Sequence, residues 1–194
     1  MSQRRNTLEP ANAIPEEQIL DAAYELLLGI GVRRMTMSDI ARASGVSRAT
    51  LYRRWSDVRQ VVAALMTREW ARLGIAAQHG EVDLAEELVR VVRQVRAHPM
   101  LQKIIALDPE VLLPYLVRRR GTTTTAQLGT IEAALTAGAE RGTVRAGDQD
   151  ARAKAVLLTA WSFTLTGPVL AETEAELTAL DEELRQLLTR YLTP

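Results

Sequence analysis

Between Thr36 and Trp55 the chain carries two helix-start signals and one stop within twenty residues, which forces two short helices around a tight turn. Thr36 is a good N-cap, and Asp39 three residues on brings negative charge to the positive end of a helix dipole. Ile40 and Ala43 are expected on the inward face of that first short helix. Gly45 falls where the chain must turn, at a position that calls for a positive φ, and Val46 anchors the turn to a core. Ser47 caps the next helix. From there Leu51 and Trp55, four apart, point inward, and Arg48, Ala49, Thr50, Tyr52 and Arg53 are left outside.

That outer face has the chemistry of a major-groove reader. Arginine makes paired bonds to guanine, Thr and Tyr bond phosphates or base edges, and an alanine methyl meets a thymine methyl. Two short helices with such a second member form a helix-turn-helix. Charge agrees with this locally rather than globally. The 194 residues carry 24 basic and 24 acidic side chains. Between Ile30 and Gln60, however, seven arginines (Arg33, Arg34, Arg42, Arg48, Arg53, Arg54, Arg59) stand against Asp39 and Asp57. Because charges are screened over roughly 8 Å at physiological salt, the local excess is what a phosphate backbone meets.

The run Asp39-Ile40-Ala41, then Ala43-Ser44-Gly45-Val46-Ser47 and Thr50-Leu51-Tyr52, resembles the N-terminal signature of the tetracycline-repressor (TetR) family of bacterial one-component regulators. The resemblance covers about the first third of the chain. It implies an all-α homodimer whose first three helices read DNA and whose variable C-terminal helical bundle binds a small inducer. It also implies that Thr36, Ser47, Thr50 and Tyr52 serve caps or DNA-backbone contacts, and that Arg48, Ala49 and Arg53 face bases or phosphates. Arg42, Arg54 and Arg59 complete the expected DNA-binding set. The sequence departs from the family pattern at Trp55, usually Phe, at Ala49, often glycine, and at Val58, where a lysine often holds a phosphate and Arg59 stands next door.

Three segments are expected: a flexible N-terminal arm (1–14) containing Arg4 and Arg5, a helix-turn-helix domain (15–57), and a ligand-binding and dimerisation domain (58–194). Pro15 opens the first helix, whose apolar Ile19, Ala22, Ala23, Leu26, Leu27 and Ile30 recur at helical spacing. Asp57 caps a fourth helix running to Gly74, attached directly to the reader and so a natural lever between the two halves. A loop over 78–82, a fifth helix broken at His98-Pro99, and an apolar element from Met100 to Leu107 follow. Asp108-Pro109 starts another element. Gly121 and the threonines 122–125 are expected to bend or interrupt a helix that ends near Gly142, Arg118 to Arg120 read as solvated surface, and Asp148 caps the next helix.

Ala155 to Ala171 contains no charged side chain, yet it is too short and too rich in Thr, Gly and Pro for a membrane span of about 20 apolar residues. Burial against a second copy is the expected answer, together with the last helix, where leucines recur at spacings of three and four. Leu157, Leu158, Leu165, Leu180, Leu184, Leu187, Leu188 and Tyr191 form the expected dimer interface. Paired readers would then meet successive major grooves of a palindromic DNA operator about 34 Å apart.

Trp70, Met100, Tyr115, Trp161 and Phe163 are expected to supply parts of a cavity for a small, largely apolar effector between the fourth, fifth, seventh and eighth helices. No cofactor or metal is expected: the chain has no cysteine, and its two histidines, His79 and His98, sit in loop or helix-end contexts with surface or capping roles. Glu86-Glu87, Glu172-Glu174-Glu176 and Asp181-Glu182-Glu183 read as solvated helix faces. An enzyme built on helices, with no catalytic motif behind it, and a dimeric scaffold without DNA affinity, with the absent helix-four lysine as its one hint, are the rival readings. The N-terminus lacks the apolar core of a signal peptide, so a cytoplasmic location is expected.

Overall fold

The computed structural model describes residues 16–74, 83–114 and 121–194, and ten α-helices lie among them. The expected arm, the loop over 78–82, His79, Tyr115 and Arg118 to Arg120 lie outside the described residues. Helices α1 (Glu16–Ile30), α2 (Met37–Ser44) and α3 (Arg48–Arg54) form the head. The long α4 (Val58–Leu73) follows, then α5 (Leu84–Ala97) and α6 (Pro99–Leu107). The body is completed by α7 (Thr122–Glu140), α8 (Gln149–Leu165), the single-turn α9 (Gly167–Leu170) and α10 (Glu174–Leu192).

Local chemistry sets most of these boundaries. Side chains of Thr36, Ser47, Asp57, Asp83, His98, Asp148 and Thr173 each accept a backbone N–H in the first turn of the helix they precede. Gly121 caps α7 without a side chain, so the threonine run forms the first turn of a continuous helix rather than a break. Thr125 returns its hydroxyl to the Gly121 carbonyl, which explains how a polar run of β-branched residues is accommodated at a helix start. The uncharged run of 155–171 divides at Thr166 into α8 and α9, with Pro168 tolerated in the first turn of the latter. Asp108-Pro109 opens only a short 3-10 turn, Pro109–Val111.

Burial falls into two apolar clusters. The first joins Ile19, Leu20, Ala23 and Leu27 of α1 and Met37, Ile40 and Ala41 of α2 to Leu51 and Trp55, to the inner face of α4 and to Met100, Leu101 and Ile104 of α6. On α2 the fourth inward residue is Ser44, whose hydroxyl donates to the Ile40 carbonyl at 2.7 Å, while Ala43 is exposed. Ile30 is also exposed. The second cluster joins α5, α7, α8 and α10 through Leu88, Val92, Leu128, Ile131, Leu135, Val156, Leu184 and Leu188. Helix α5 serves both, with Val95 in the first and Leu88 and Val92 in the second. The head and α4 therefore share one core, and the seam between the two clusters runs along α4 and α5.

Two acidic groups expected on solvated faces are buried instead. Asp181, 3% exposed, accepts from Arg93 Nε at 2.8 Å and from both terminal nitrogens of Arg96 at 3.2 and 2.6 Å. Arg96 also donates to the Phe163 carbonyl, so one guanidinium joins α5, α8 and α10. Glu87 is buried beside Arg90, which reaches back to the Leu73 and Gly74 carbonyls and caps the C-terminus of α4. Spacing could not reveal the Asp181 pairing, because Arg93 and Arg96 come from another helix; Arg90 lies three residues from Glu87 on α5, and only its reach to the α4 carbonyls is set by tertiary packing.

Candidate nucleic-acid interface and effector cavity

The turn between α2 and α3 is built from three interlocking pieces. Thr36 accepts the Asp39 N–H while Asp39 accepts the Thr36 N–H, a reciprocal capping box. The Thr36 hydroxyl also donates to Asp39 at 2.6 Å, and this bond is the first cause holding the Asp39 carboxyl below its ordinary range. Gly45 then adopts φ 71°, and the Val46 N–H returns to the Ala41 carbonyl at 3.0 Å. Ser47 caps α3 and shares a 2.9 Å hydrogen bond with the Thr50 hydroxyl. Leu51 and Trp55 pin α3 to the core at 0% and 8% exposure.

What α3 leaves outside matches the expected surface. Arg48, Ala49, Tyr52, Arg53 and Arg54 are exposed, as is Arg59 at the start of α4, and Thr50 is half-buried. Arg48, Arg53, Arg54 and Arg59 make no ion pair or side-chain hydrogen bond with the described residues, so their guanidinium groups are available to phosphates or bases. Arg42 is committed to Asp39 at 2.6 Å, and the hydroxyl of Thr36 is committed to the capping box. Both supply the scaffold first.

Among the described residues, polar contacts fasten the head to the body in two regions. The buried Asp108 at the end of α6 accepts the Val32 N–H at 2.6 Å and the Arg33 N–H at 3.4 Å, gripping the backbone just past α1. Gly31 makes room: at φ 78° a Cβ there would lie 2.8 Å from Asp108 Oδ2. The second fastening centres on α4, where Arg68 bonds Glu17 and Asp21 of α1 and its own neighbour Glu69. Glu69 also pairs with Arg72 and faces His98 Nε2 at 3.6 Å. His98 caps α6 and meets the rings of Trp70 and Tyr24 edge-on at 5.3 and 6.2 Å. Burial pushes the His98 imidazole below its ordinary value, against the opposing pull of Glu69.

A cavity of about 390 Å³ lies at the seam between the two apolar clusters. Its walls are Thr67, Trp70, Ala71 and Gly74 from α4, Val91 and Val95 among others from α5, Thr123, Gln127, Thr130 and Ile131 from α7, and Leu157, Ala160, Trp161 and Thr164 from α8. Two of the expected aromatic residues, Trp70 and Trp161, line it. Met100 does not: it is fully buried in the first cluster, on α6, which packs against α1 and α5. Phe163 packs against the second cluster, one residue from the lining Thr164. The polar wall of α7 was missed, although Thr123, Gln127 and Thr130 at spacings of four and three mark a polar stripe beside an apolar one.

The expected dimer residues separate by burial. Leu158 (73% exposed), Leu187 and Tyr191 are exposed, joined by Val169 and Leu170 on α9. Leu165 and Leu180 are half-buried. Leu184 and Leu188 are corrected: both are buried in the chain's own second cluster, because α10 turns that face onto α5. Leu157 likewise turns inward to the cavity.

Residues 19–65 match the description "Bacterial regulatory proteins, tetR family". An uncharacterized HTH-type transcriptional regulator of Mycobacterium bovis is 33% identical over 183 residues, covering 90% of this chain and 93% of its own. Among solved structures, the TetR family repressor AlkX from Dietzia sp., implicated in biodegradation of n-alkanes, is 19% identical with a TM-score of 0.68, covering 91% of this chain and 94% of its own. The SmeT–triclosan complex is 20% identical with a TM-score of 0.58, covering 92% and 91% respectively. The chain belongs to the tetR family of helix-turn-helix transcriptional regulators. Regulators of this family bind DNA and act as dimers with small-molecule effectors; they are not enzymes. No helix among the described residues is long and apolar enough to cross a membrane.

Proposed function

We propose that this regulator is a repressor that holds a palindromic operator as a homodimer, working in the cytoplasm where chromosomal DNA lies, and lets go when a small, largely apolar inducer enters the cavity. The observation that carries the proposal is the double duty of α4: it leaves the reading helix after three residues and then forms one wall of the cavity through Thr67, Trp70 and Ala71. A ligand that fills the seam more favourably in one tilt of α4 than in another shifts the population toward that tilt. The Asp108 grip and the Arg68–Glu69–His98 cluster pass the tilt to α1, so the two readers of a dimer lose the spacing of roughly 34 Å that successive major grooves demand.

In this reading Arg48, Ala49, Thr50, Tyr52 and Arg53 contact the groove, Arg54 and Arg59 contact phosphates, and Ser47, Thr36 and Arg42 hold the reader in shape. The exposed apolar face of Leu158, Val169, Leu170, Leu187 and Tyr191 meets its symmetry mate. Functionally, 15–57 is the reader and 58–194 the sensor and dimer body, with α4 shared between them. The test is fluorescence anisotropy on DNA from upstream of the protein's own gene, at several salt concentrations. Tight binding that weakens steeply with salt and is lost in the triple variant Arg48→Ala, Tyr52→Phe, Arg53→Ala is the expected result. Affinity unchanged in that variant would remove α3 as the reader.

A further inference from the structure

We infer that a proton is a second effector of this regulator: taken up at Nδ1 of His98, it frees the first turn of α6 and weakens the hold on the operator. The inference rests on the proposal that movements of the body reach the reading head through α4 and its neighbours.

The two ring nitrogens of His98 have different tasks. Nδ1 accepts the Met100 N–H at 3.3 Å and so caps α6, which assigns the proton of the neutral ring to Nε2. Nε2 faces Glu69 Oε2 at 3.6 Å, and the two side chains are only 13% and 7% exposed. A second proton has only Nδ1 to go to. Once there it turns the acceptor into a donor, leaves the Met100 N–H without its cap and puts positive charge at the positive end of the α6 dipole.

The same proton strengthens the attraction to Glu69, and that carboxylate is already shared. Its Oε1 accepts from Arg68 at 2.8 Å and from Arg72 at 3.0 Å, and Arg68 in turn holds Glu17 and Asp21 of α1. Protonation therefore moves His98 from a bond that starts α6 to an ion pair that draws on the anchor between α4 and α1. At its other end α6 is followed by Asp108, which grips the Val32 and Arg33 backbone just past α1. Both regions that hold the head are thus touched at an end of α6.

The groups packed around the ring fix the direction of the response. From α4 come Glu69, with its two arginines, and Trp70; from α1 comes Tyr24, whose phenol burial raises above its ordinary value and so keeps uncharged. Arg96, two residues earlier on α5, is turned onto Asp181. Burial holds the imidazole below its ordinary value against the pull of Glu69, so the capped arrangement favours the neutral ring. A state in which α6 has let go returns the ring toward the ordinary value near 6.5, and operator binding, which selects the capped arrangement, must expel the proton as pH falls below it. Trp70 also lines the cavity and meets His98 edge-on, so inducer and proton act on one joint.

The test is fluorescence anisotropy of the full-length protein at constant ionic strength from pH 7.5 to 5.5, on a duplex selected from a random pool at pH 7.5, with circular dichroism following the folded fraction. Wild-type affinity is expected to fall about three- to tenfold over that range, within the limit of tenfold per pH unit for each proton expelled. The sign is diagnostic, because a general gain of positive charge would tighten the hold on phosphates. His98→Asn keeps an acceptor for the Met100 N–H but takes up no proton, and its affinity should stay within about twofold across the range. His79→Asn removes the chain's other histidine and should keep the wild-type profile. If His98→Asn fails to fold, NMR titration of the wild-type ring decides: its pKa should be lower with the duplex bound than free. Wild-type affinity that does not fall with pH, an equally steep fall in His98→Asn, or a ring that titrates alike in both states would overturn the inference. Loss of binding at pH 7.5 in the Arg48→Ala, Tyr52→Phe, Arg53→Ala variant would leave the proposed reader standing in each of those cases. No duplex held by the wild type at pH 7.5 would overturn both.

Discussion

Asp108 shows how much one carboxylate can decide. It lies at the end of an apolar helix, yet its oxygen holds two backbone N–H groups beyond α1, seventy-six and seventy-five residues away in sequence. Asp108→Ala leaves the buried Val32 N–H without a partner, which costs about 1–3 kcal/mol. A urea titration should show that loss, and operator affinity should fall with it because the head is no longer held at a fixed angle to α6. Thr36→Ala removes one half of the capping box and should cost about 1 kcal/mol in the same titration, with Thr36→Ser recovering most of it. His98 makes stability depend on pH. Its imidazole is held below the ordinary value near 6.5 by burial, so the fold favours the neutral ring. The unfolded chain takes up the proton first as pH falls, and stability present above about pH 6.5 is lost as pH drops through the lower folded value. Unfolding free energies measured from pH 7.5 to 5 should decline in the wild type and less so in His98→Asn, which retains an acceptor for the Met100 N–H. The neighbours that set this slope are Glu69 on α4, which opposes the shift, and the uncharged rings of Trp70 and Tyr24.

At the scale of elements, α3 and α10 were legible to different degrees, and the reason is the range of the forces that shape them. Ser47, Leu51 and Trp55 fix the reader through bonds and packing within one or two turns, so cap, turn and inward face could all be read from spacing. Removing Arg48 and Arg53 should flatten the salt dependence of operator binding by about 0.9 in log–log slope for every phosphate no longer neutralised, a measurement that separates phosphate recognition from base recognition. For α10, periodicity located the apolar stripe but not its partner. Leu184 and Leu188 go to the chain's own core and Leu187 and Tyr191 to solvent, because Asp181 on the same helix is drawn down onto Arg93 and Arg96. Breaking that buried pair with Asp181→Ala strands Arg96 and should cost about 3–5 kcal/mol by urea titration. The single turn of α9 escaped notice for a related reason: an uncharged run carries no mark of where it bends.

For the whole molecule, the two clusters and the seam between them explain how a reader and a sensor coexist in one chain. The head shares its core with α4 and α6, and in the proposed function a ligand filling the seam between the clusters moves α4. In the proposed dimer the exposed apolar face of α8 to α10 brings in the second reader. Leu158→Asp with Leu187→Asp, both exposed, should leave the monomer folded by circular dichroism, halve the mass seen by light scattering, and weaken operator binding sharply, since a lone short helix has little hold on DNA. The all-helical fold, the proposed reading surface from Ser47 to Arg53 and the exposed apolar face proposed for the dimer are written in local patterns: caps within four residues, spacings of three and four, and a cluster of like charge. The cavity's actual walls, the burial of Asp181 and Glu87, the displacement of Met100 into the core and the grip of Asp108 on Val32 were decided only by tertiary structure. Each depends on which helix faces which, and a single helix's pattern says which side is apolar without saying what that side will meet.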